Sequence, residues 1–137
     1  MKHLLLTLGL VVTLAGQPAA AQTESSDAIR GTIQSQIDAF LADDFATAFT
    51  FASPAIKGMF GNPDNFGMMV RQGYPMVWRP SDLRFLDLRE MAGRHYQRVQ
   101  IVDREGVPYI AEYEMIETAE GWQINGVRIE RAPEVGA

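Results

Sequence analysis

Cysteine is absent from this 137-residue chain, and its absence excludes several classes of protein. Without a thiol the chain has no disulfide, no thiolate nucleophile, no cysteine-bound zinc or iron–sulfur cluster and no lipidated cysteine. Histidine is nearly absent as well, since His95 is the single histidine beyond His3. One histidine cannot form a histidine-rich metal site. We therefore expect no metal and no cofactor.

Positive charge is also scarce. The chain has 12 Lys and Arg against 17 Asp and Glu, for a formal net charge of -5. Proteins that bind nucleic acids or anionic lipids use basic surfaces to neutralise phosphates. We therefore expect no nucleic-acid partner, and no membrane partner for the mature chain.

Long hydrophobic runs are missing too. The apolar stretch from Leu4 to Leu14 is only 11 residues long, whereas a membrane-spanning helix needs about 20. It follows a basic start at Lys2 and precedes Ala19-x-Ala21, the pattern of a cleaved signal peptide. The sequence thus predicts a signal peptide over residues 1–21 and export to the bacterial periplasm. A single domain at 22–132 and a short tail at 133–137 would follow.

The first half of the mature chain has the periodicity of helices. A helix that opens near Ser25 carries one apolar stripe, formed by Ile29, Ile33, Ile37, Phe40 and Leu41. Asp44 can cap a second helix that begins at Phe45. Ser53-Pro54 and Asn62-Pro63 each place a capping side chain before a proline at the first helical position. They predict short helices at Pro54–Phe60 and Pro63–Gln72.

From Pro75 onward the hydrophobic period changes to two, which is typical of strands. Five strands are predicted, at Met76–Trp78, Leu83–Met91, Tyr96–Asp103, Val107–Glu117 and Trp122–Glu130. The short turns between the last three make them antiparallel neighbours. Helices followed by hairpin-connected strands give an α+β fold, with the helices packed on one face of the sheet.

Turn positions suggest how the last three strands are aligned. Pairing Asp103 with Val107 sets Gln97 opposite Tyr113, and pairing Thr118 with Trp122 sets Met115 opposite Asn125. The outer face then carries the alternating charges Arg98, Glu112 and Arg128, which we interpret as cross-strand pairing in preference to an anion-binding patch. The same alignment puts Ile110, Ile116, Trp122 and Ile124 outside. A shift of one residue in the last strand would turn Trp122 and Ile124 inward and Asn125 outward.

Three stretches of the chain, at 36–61, 65–80 and 122–127, resemble a bacterial family called domain of unknown function 4864. That family is similar to the nuclear transport factor two-like, or cystatin-like, superfamily. The resemblance implies a conical fold in which a long N-terminal helix and shorter helices close over a strongly bent, mostly antiparallel sheet, leaving a pocket. The superfamily includes ketosteroid isomerase-like and dehydratase-like enzymes, binding modules and dimerising adaptors, so the fold leaves the function open.

Several polar and aromatic side chains are candidates for the lining of that pocket. On the expected alignment, four of them place polar tips on an otherwise apolar inner face, and three flank the crossing from helices to sheet. The set is Arg71, Tyr74, Trp78, Gln97, Tyr109, Tyr113 and Asn125. The alternative is that these groups satisfy one another as a buried hydrogen-bond network.

Other reactive side chains have simpler structural explanations. We interpret His95 as an exposed turn residue in preference to a general base, and Asp43-Asp44 as a helix cap. Asp38 fits a solvated helix face. The mature methionines lack the clustered spacing of a copper(I) site, so we expect them to fill the core. They are Met59, Met68, Met69, Met76, Met91 and Met115.

These observations favour an exported, non-catalytic module that binds a small apolar molecule or a protein partner in or across its concave sheet. One alternative is an isomerase-like or dehydratase-like enzyme, with Tyr113 as hydrogen-bond donor and His95, Asp38 or Asp87 as base. The absence of tyrosine from the first helix speaks against it. Another alternative is a homodimer formed through the outer face of the sheet.

Overall fold

A computed structural model describes residues 19–133. Most of the predicted signal peptide, at 1–18, and most of the predicted tail, at 134–137, lie outside the described residues. The elements, in chain order, are α1 Ala19–Leu41, α2 Phe45–Thr50, α3 Pro54–Phe60, α4 Pro63–Gly73, α5 Pro75–Trp78, β1 Asp82–Met91, β2 Arg94–Val102, β3 Pro108–Thr118 and β4 Gly121–Arg131. Five helices followed by an antiparallel sheet of order β1-β2-β3-β4 confirm the α+β class.

The helix starts follow the predicted caps. Asp44 accepts from the Thr47 amide at 3.1 Å, and Ser53 accepts from the Ile56 amide at 3.3 Å. Asn62 accepts from the Asn65 amide at 2.8 Å. Each cap satisfies an N–H that the first turn of a helix leaves without an intrahelical partner. α1 differs from the prediction, because it already includes Ala19.

The strand predicted at Met76–Trp78 is wrong, because these residues belong to α5. Pro75 fixes the first helical φ, and the amides of Val77 and Trp78 both donate to the carbonyl of Tyr74, at 2.9 and 3.0 Å. This one-turn helix satisfies the backbone groups that a strand would have paired with the sheet. The described part of the chain therefore forms four strands instead of five.

The predicted alignment is right between β2 and β3, where Gln97 pairs with Tyr113. Between β3 and β4 it is right only in part. Glu112 pairs with Arg128, but a β-bulge after Glu114 shifts the rest of β4, so that Met115 pairs with Ile124 instead of Asn125. The shift turns Ile124 and Trp122 inward, as in the one-residue shift named as the alternative, so their expected outer position is wrong.

Arg98, Glu112 and Arg128 lie opposite one another on the outer face, as predicted, but Arg98 forms its ion pair with a residue outside this ladder. Arg128 lies 3.4 Å from Glu112, whereas Arg98 pairs with Asp87 of β1 at 3.0 Å. The charges are thus paired across neighbouring strands, as predicted for this face.

The core lies between α1 and the inner face of the sheet. Ile29, Ile33, Ile37 and Phe40 are almost fully buried, whereas Leu41, at the end of the predicted stripe, is exposed. They pack in one cluster with the inner sheet residues Val99, Ile101, Ala111 and Tyr113. Burial of such side chains is the main stabilising contribution to the fold.

The methionines correct a further expectation. Met115 is buried, but Met59, Met68 and Met91 are 71%, 57% and 58% exposed. The prediction that the methionines fill the core is therefore wrong for these three.

Candidate functional site

A cavity of about 380 Å³ lies between α1, the short helices and β4. Its apolar walls include Phe40 of α1, Ile56 of α3, Val70 of α4 and Ile124 and Val127 of β4. None of the lining side chains is charged. A cavity of this size and character suits a small apolar molecule, since ligand pockets typically span about 300 to 1,000 Å³.

The cavity exists because α3 is tethered to the edge of β4. Residues 51–53 run parallel to β4: the amide of Ile124 donates to the carbonyl of Phe51, and the amide of Ser53 donates to the carbonyl of Ile124, both at 2.8 Å. These bonds hold the start of α3 against the sheet. The remaining helices then enclose a space that their side chains do not fill.

An aromatic cluster forms the wall on the side of α4. The ring of Phe66 lies 5.9 Å from Phe40, 5.4 Å from Phe49 and 5.8 Å from Phe60, measured between centroids. Gly67 follows Phe66, and a Cβ at this position would lie 2.6 Å from the ring of Phe45. A glycine is therefore needed for α4 to pack closely on the residue that begins α2.

Among residues 19–133, two side chains give the cavity wall a polar group. Gln36 is buried, and its Nε2 donates to the carbonyl of Ala48 at 3.2 Å. Tyr74 is half-buried where α4 meets α5. A few fixed polar groups in an apolar wall are the usual means of orienting a small ligand.

Of the seven residues predicted to line the pocket, Tyr74 alone lines this cavity. Arg71 is exposed, with its guanidinium 5.5 Å from the centroid of the Trp78 ring. Trp78 itself donates to Asp43 at 3.1 Å. Tyr109 is half-buried and pairs with Ile101 in the sheet.

Gln97 and Asn125 lie at the two β-bulges. Gln97 is fully buried, and its Nε2 donates to the carbonyls of Leu86 and Asp87, the two residues of the β1 bulge, at 3.0 and 3.3 Å. Asn125 is the extra residue of the β4 bulge. The amide of Gln97 thus satisfies carbonyls that an interrupted ladder leaves free.

Asn125 links α3 to the sheet. Its Oδ1 accepts from the hydroxyl of Ser53 at 2.8 Å, and its Nδ2 donates to Glu114 at 3.2 Å. The same carboxylate accepts from Arg94 at 2.8 Å. These residues form a network that runs from a buried helix cap to the surface, and the partners of Asn125 in it are not among the seven candidates.

Tyr113 is buried without a hydrogen-bond partner among the described residues. Its side chain is 0% exposed. Burial raises the pKa of the Tyr113 hydroxyl above its ordinary value of 10.0. The Oε1 of Gln97, its neighbour on β2, has no partner in this part of the chain either.

One contact that the sequence did not reveal joins the end of α1 to α5. Arg79 forms an ion pair with Asp43 at 2.7 Å and also donates to the carbonyl of Phe40. The hydrogen bond from Arg79, followed by that from Trp78, lowers the pKa of the Asp43 carboxyl below its ordinary value of 3.8. Asp43 therefore fixes the junction, and Asp44 alone is the predicted cap.

A model of the family described as Domain of unknown function (DUF4864) matches residues 22–137. The chain belongs to the DUF4864 family. No curated protein and no solved structure matches it significantly. The family resemblance seen in the sequence is thus confirmed, while the family's name carries no activity.

The side chains considered as catalytic bases do not line the cavity of this DUF4864 protein. His95 is in β2, 27% exposed, with its Nε2 3.7 Å from Glu90 and its ring against Trp122, so it is not an exposed turn residue. Asp38 accepts from Gln34 on the exposed face of α1. Asp87 is held by Arg89, whose hydrogen bond lowers the pKa of this carboxyl, and by Arg98.

Residues 19–133 contain five helices and a four-stranded sheet. This part of the DUF4864 chain contains no group of three or more His, Asp or Glu side chains arranged to hold a metal ion. It also contains no helix with the length and apolar character required to span a bilayer.

Proposed function

We propose that this DUF4864 protein binds a small, mostly apolar molecule in the cavity between α1, α3, α4 and β4. The observation that carries the proposal is the 380 Å³ space with an uncharged lining and two polar groups, Gln36 and Tyr74. The role is binding without catalysis, because the acidic and histidine side chains discussed above lie elsewhere. Tyr113, the donor in the enzymatic alternative, is fully buried.

A small molecule is a better occupant than a protein partner across the concave sheet. Helix α1 already packs in one core cluster with the inner face, where Val99, Ile101 and Tyr113 are 0% exposed. A protein would have to displace α1 and its four buried apolar side chains, at a cost of about 1.5 to 3 kcal/mol for each one exposed. The cavity needs no such displacement.

We further infer that the fold is the conical, nuclear transport factor two-like arrangement, and that the chain is exported. Bulges in β1 and β4 bend a sheet, and α1 lies on its inner side, as a cone requires. The family match begins at Gln22, directly after the predicted cleavage site. A mass spectrum of the protein recovered from its native host should give a mature N-terminus at Gln22; retention of Met1 would contradict export by cleavage.

The binding proposal can be tested with N-phenyl-1-naphthylamine, an uncharged dye that fluoresces in apolar surroundings. The wild-type protein should bind it saturably, with one site. Val127→Phe adds a ring to the cavity wall and should weaken binding by at least about tenfold, the cost of displacing roughly two methylene groups of ligand.

Ile129→Phe is the matched control. Ile129 is half-buried on the same strand and packs against the same core, but it does not line the cavity. This variant should bind the dye like the wild type. Equal loss in both variants, or no saturable binding by the wild type, would contradict the proposal.

A further inference from the structure

We propose that the ligand is an elongated, single-chain apolar molecule whose far end leaves the cavity and lies in a neighbouring surface groove. The inference rests on the proposed function and narrows it to a chemical class, that of alkyl or acyl chains with an uncharged polar end. The groove, called here the Met68 groove, is lined by Phe60, Asn65, Met68, Met69, Gln72 and Gly73, and its volume is about 470 Å³.

The cavity and the Met68 groove share a wall. Phe60 and Met69 line both of them, so the two spaces adjoin at these two side chains. Both side chains are half-buried. Methionine is unbranched and has three rotatable bonds, so Met69 can change rotamer at little cost and open the wall.

Exposed methionines flank this shared wall on both sides. Met59 lines the cavity and is 71% exposed, and Met68 lines the groove and is 57% exposed. A compact ligand held inside the cavity would contact Met59 but leave Met68 exposed. A chain that crosses from one space to the other would cover both, which accounts for apolar side chains that water otherwise surrounds.

The lining chemistry agrees with a chain that carries no charge. Neither space has a charged lining side chain, and the polar groups of the groove are the amides Asn65 and Gln72. Asn65, whose Nδ2 donates to the carbonyl of Phe60 at 3.1 Å, is held in place within the groove lining. Gln72 is exposed and can meet an uncharged polar end of the ligand, such as a hydroxyl.

The test is the displacement of N-phenyl-1-naphthylamine by hexanol, octanol, decanol and dodecanol. Burial of each methylene group should improve affinity about fourfold. If the chain extends into the groove, the improvement continues through dodecanol. Met68→Gln should then weaken dodecanol binding by roughly fourfold, the equivalent of about one buried methylene, and leave hexanol binding unchanged.

Met91→Gln is the control, because Met91 is exposed to the same extent, 58%, and lies at the turn between β1 and β2. It should leave the affinities of all four alcohols unchanged. Two results would overturn the extension of the ligand into the groove: an affinity that levels off at octanol, or a Met68→Gln variant that binds dodecanol like the wild type. Dye binding would still support the cavity as a binding site. Failure of the dye and of every alcohol to bind would instead overturn the proposed function.

Discussion

At the scale of single residues, Tyr113 is the clearest departure from ordinary protein chemistry. Its hydroxyl is fully buried and has no partner among the described residues. Burial of an unpaired hydroxyl costs about 1 to 3 kcal/mol. Tyr113→Phe should therefore raise the free energy of unfolding by about 1 kcal/mol in urea denaturation at pH 7.

The stabilisation by Tyr113→Phe should increase above pH 10. The pKa of Tyr113 is raised in the fold, so the folded hydroxyl stays protonated while that of the unfolded chain ionises near pH 10.0. The free energy of unfolding of the wild type should therefore be unaffected by this ionisation below pH 10 and should fall as the pH rises above 10. Tyr113→Phe, which has no hydroxyl to ionise, should not show this fall. Tyr109→Phe, at a half-buried site on the same strand, is the control. A destabilised Tyr113→Phe variant would mean that the hydroxyl has a partner, such as a buried water.

At the scale of elements, the tether between α3 and β4 determines where the cavity forms. Ser53 has two roles, because its hydroxyl accepts from the Ile56 amide and donates to Asn125. Asn62 caps α4 in the same way, also before a proline, but it is exposed. Comparing Ser53 with Asn62 therefore separates the stabilising effect of a helix cap from that of the hydrogen bond that holds α3 to β4.

Replacing each cap by alanine measures the difference. Asn62→Ala should cost about 1 kcal/mol of unfolding free energy, the usual contribution of a cap. Ser53→Ala should cost about 1 kcal/mol more, because the side-chain oxygen of Asn125 also loses its donor. Chemical denaturation of the two variants gives both values. Equal costs would show that backbone hydrogen bonds alone hold α3 to the sheet.

The same elements show what the sequence could and could not predict. Caps at Asp44, Ser53 and Asn62 are local signals, so the helix starts were predictable. The register of β2 and β3 followed from one tight turn. The one-residue shift of β4 was foreseen only as an alternative, because strand alternation does not reveal the extra residue at Asn125. The strand prediction at Met76–Trp78 was wrong because a single helical turn and a short strand have similar composition.

At the scale of the whole molecule, the candidate site depended on contacts between residues far apart in the chain. Ala52 and Ile124 pair across 72 positions, and this pairing places α3 beside β4. Local patterns do not encode such a contact. The sequence therefore predicted an apolar inner sheet face with polar side-chain ends. In the structure, Gln97 and Asn125 form hydrogen bonds at the bulges, and the cavity lies between the helices and β4.

The corrected register also changes the expectation for assembly. A homodimer through the outer sheet face relied on four apolar residues, and two of them, Trp122 and Ile124, now pack against the core. Ile110 and Ile116 remain, both half-buried, on the face that also carries the charged ladder. Stable interfaces bury at least about 1,000 Å² around an apolar centre, which two separated isoleucines do not supply.

We therefore expect residues 22–137 to be monomeric at high micromolar concentration when measured by multi-angle light scattering. Ile110→Lys places a charge in the middle of the outer face and should change neither the mass nor, by more than about 0.5 kcal/mol, the stability, because the position contributes to no interface. A dimer that Ile110→Lys dissociates would restore the outer face as an interface. A dimer that persists in the Ile110→Lys variant would instead indicate an interface at the exposed methionines of the cavity. A second chain there would compete with the apolar ligand for the same surface.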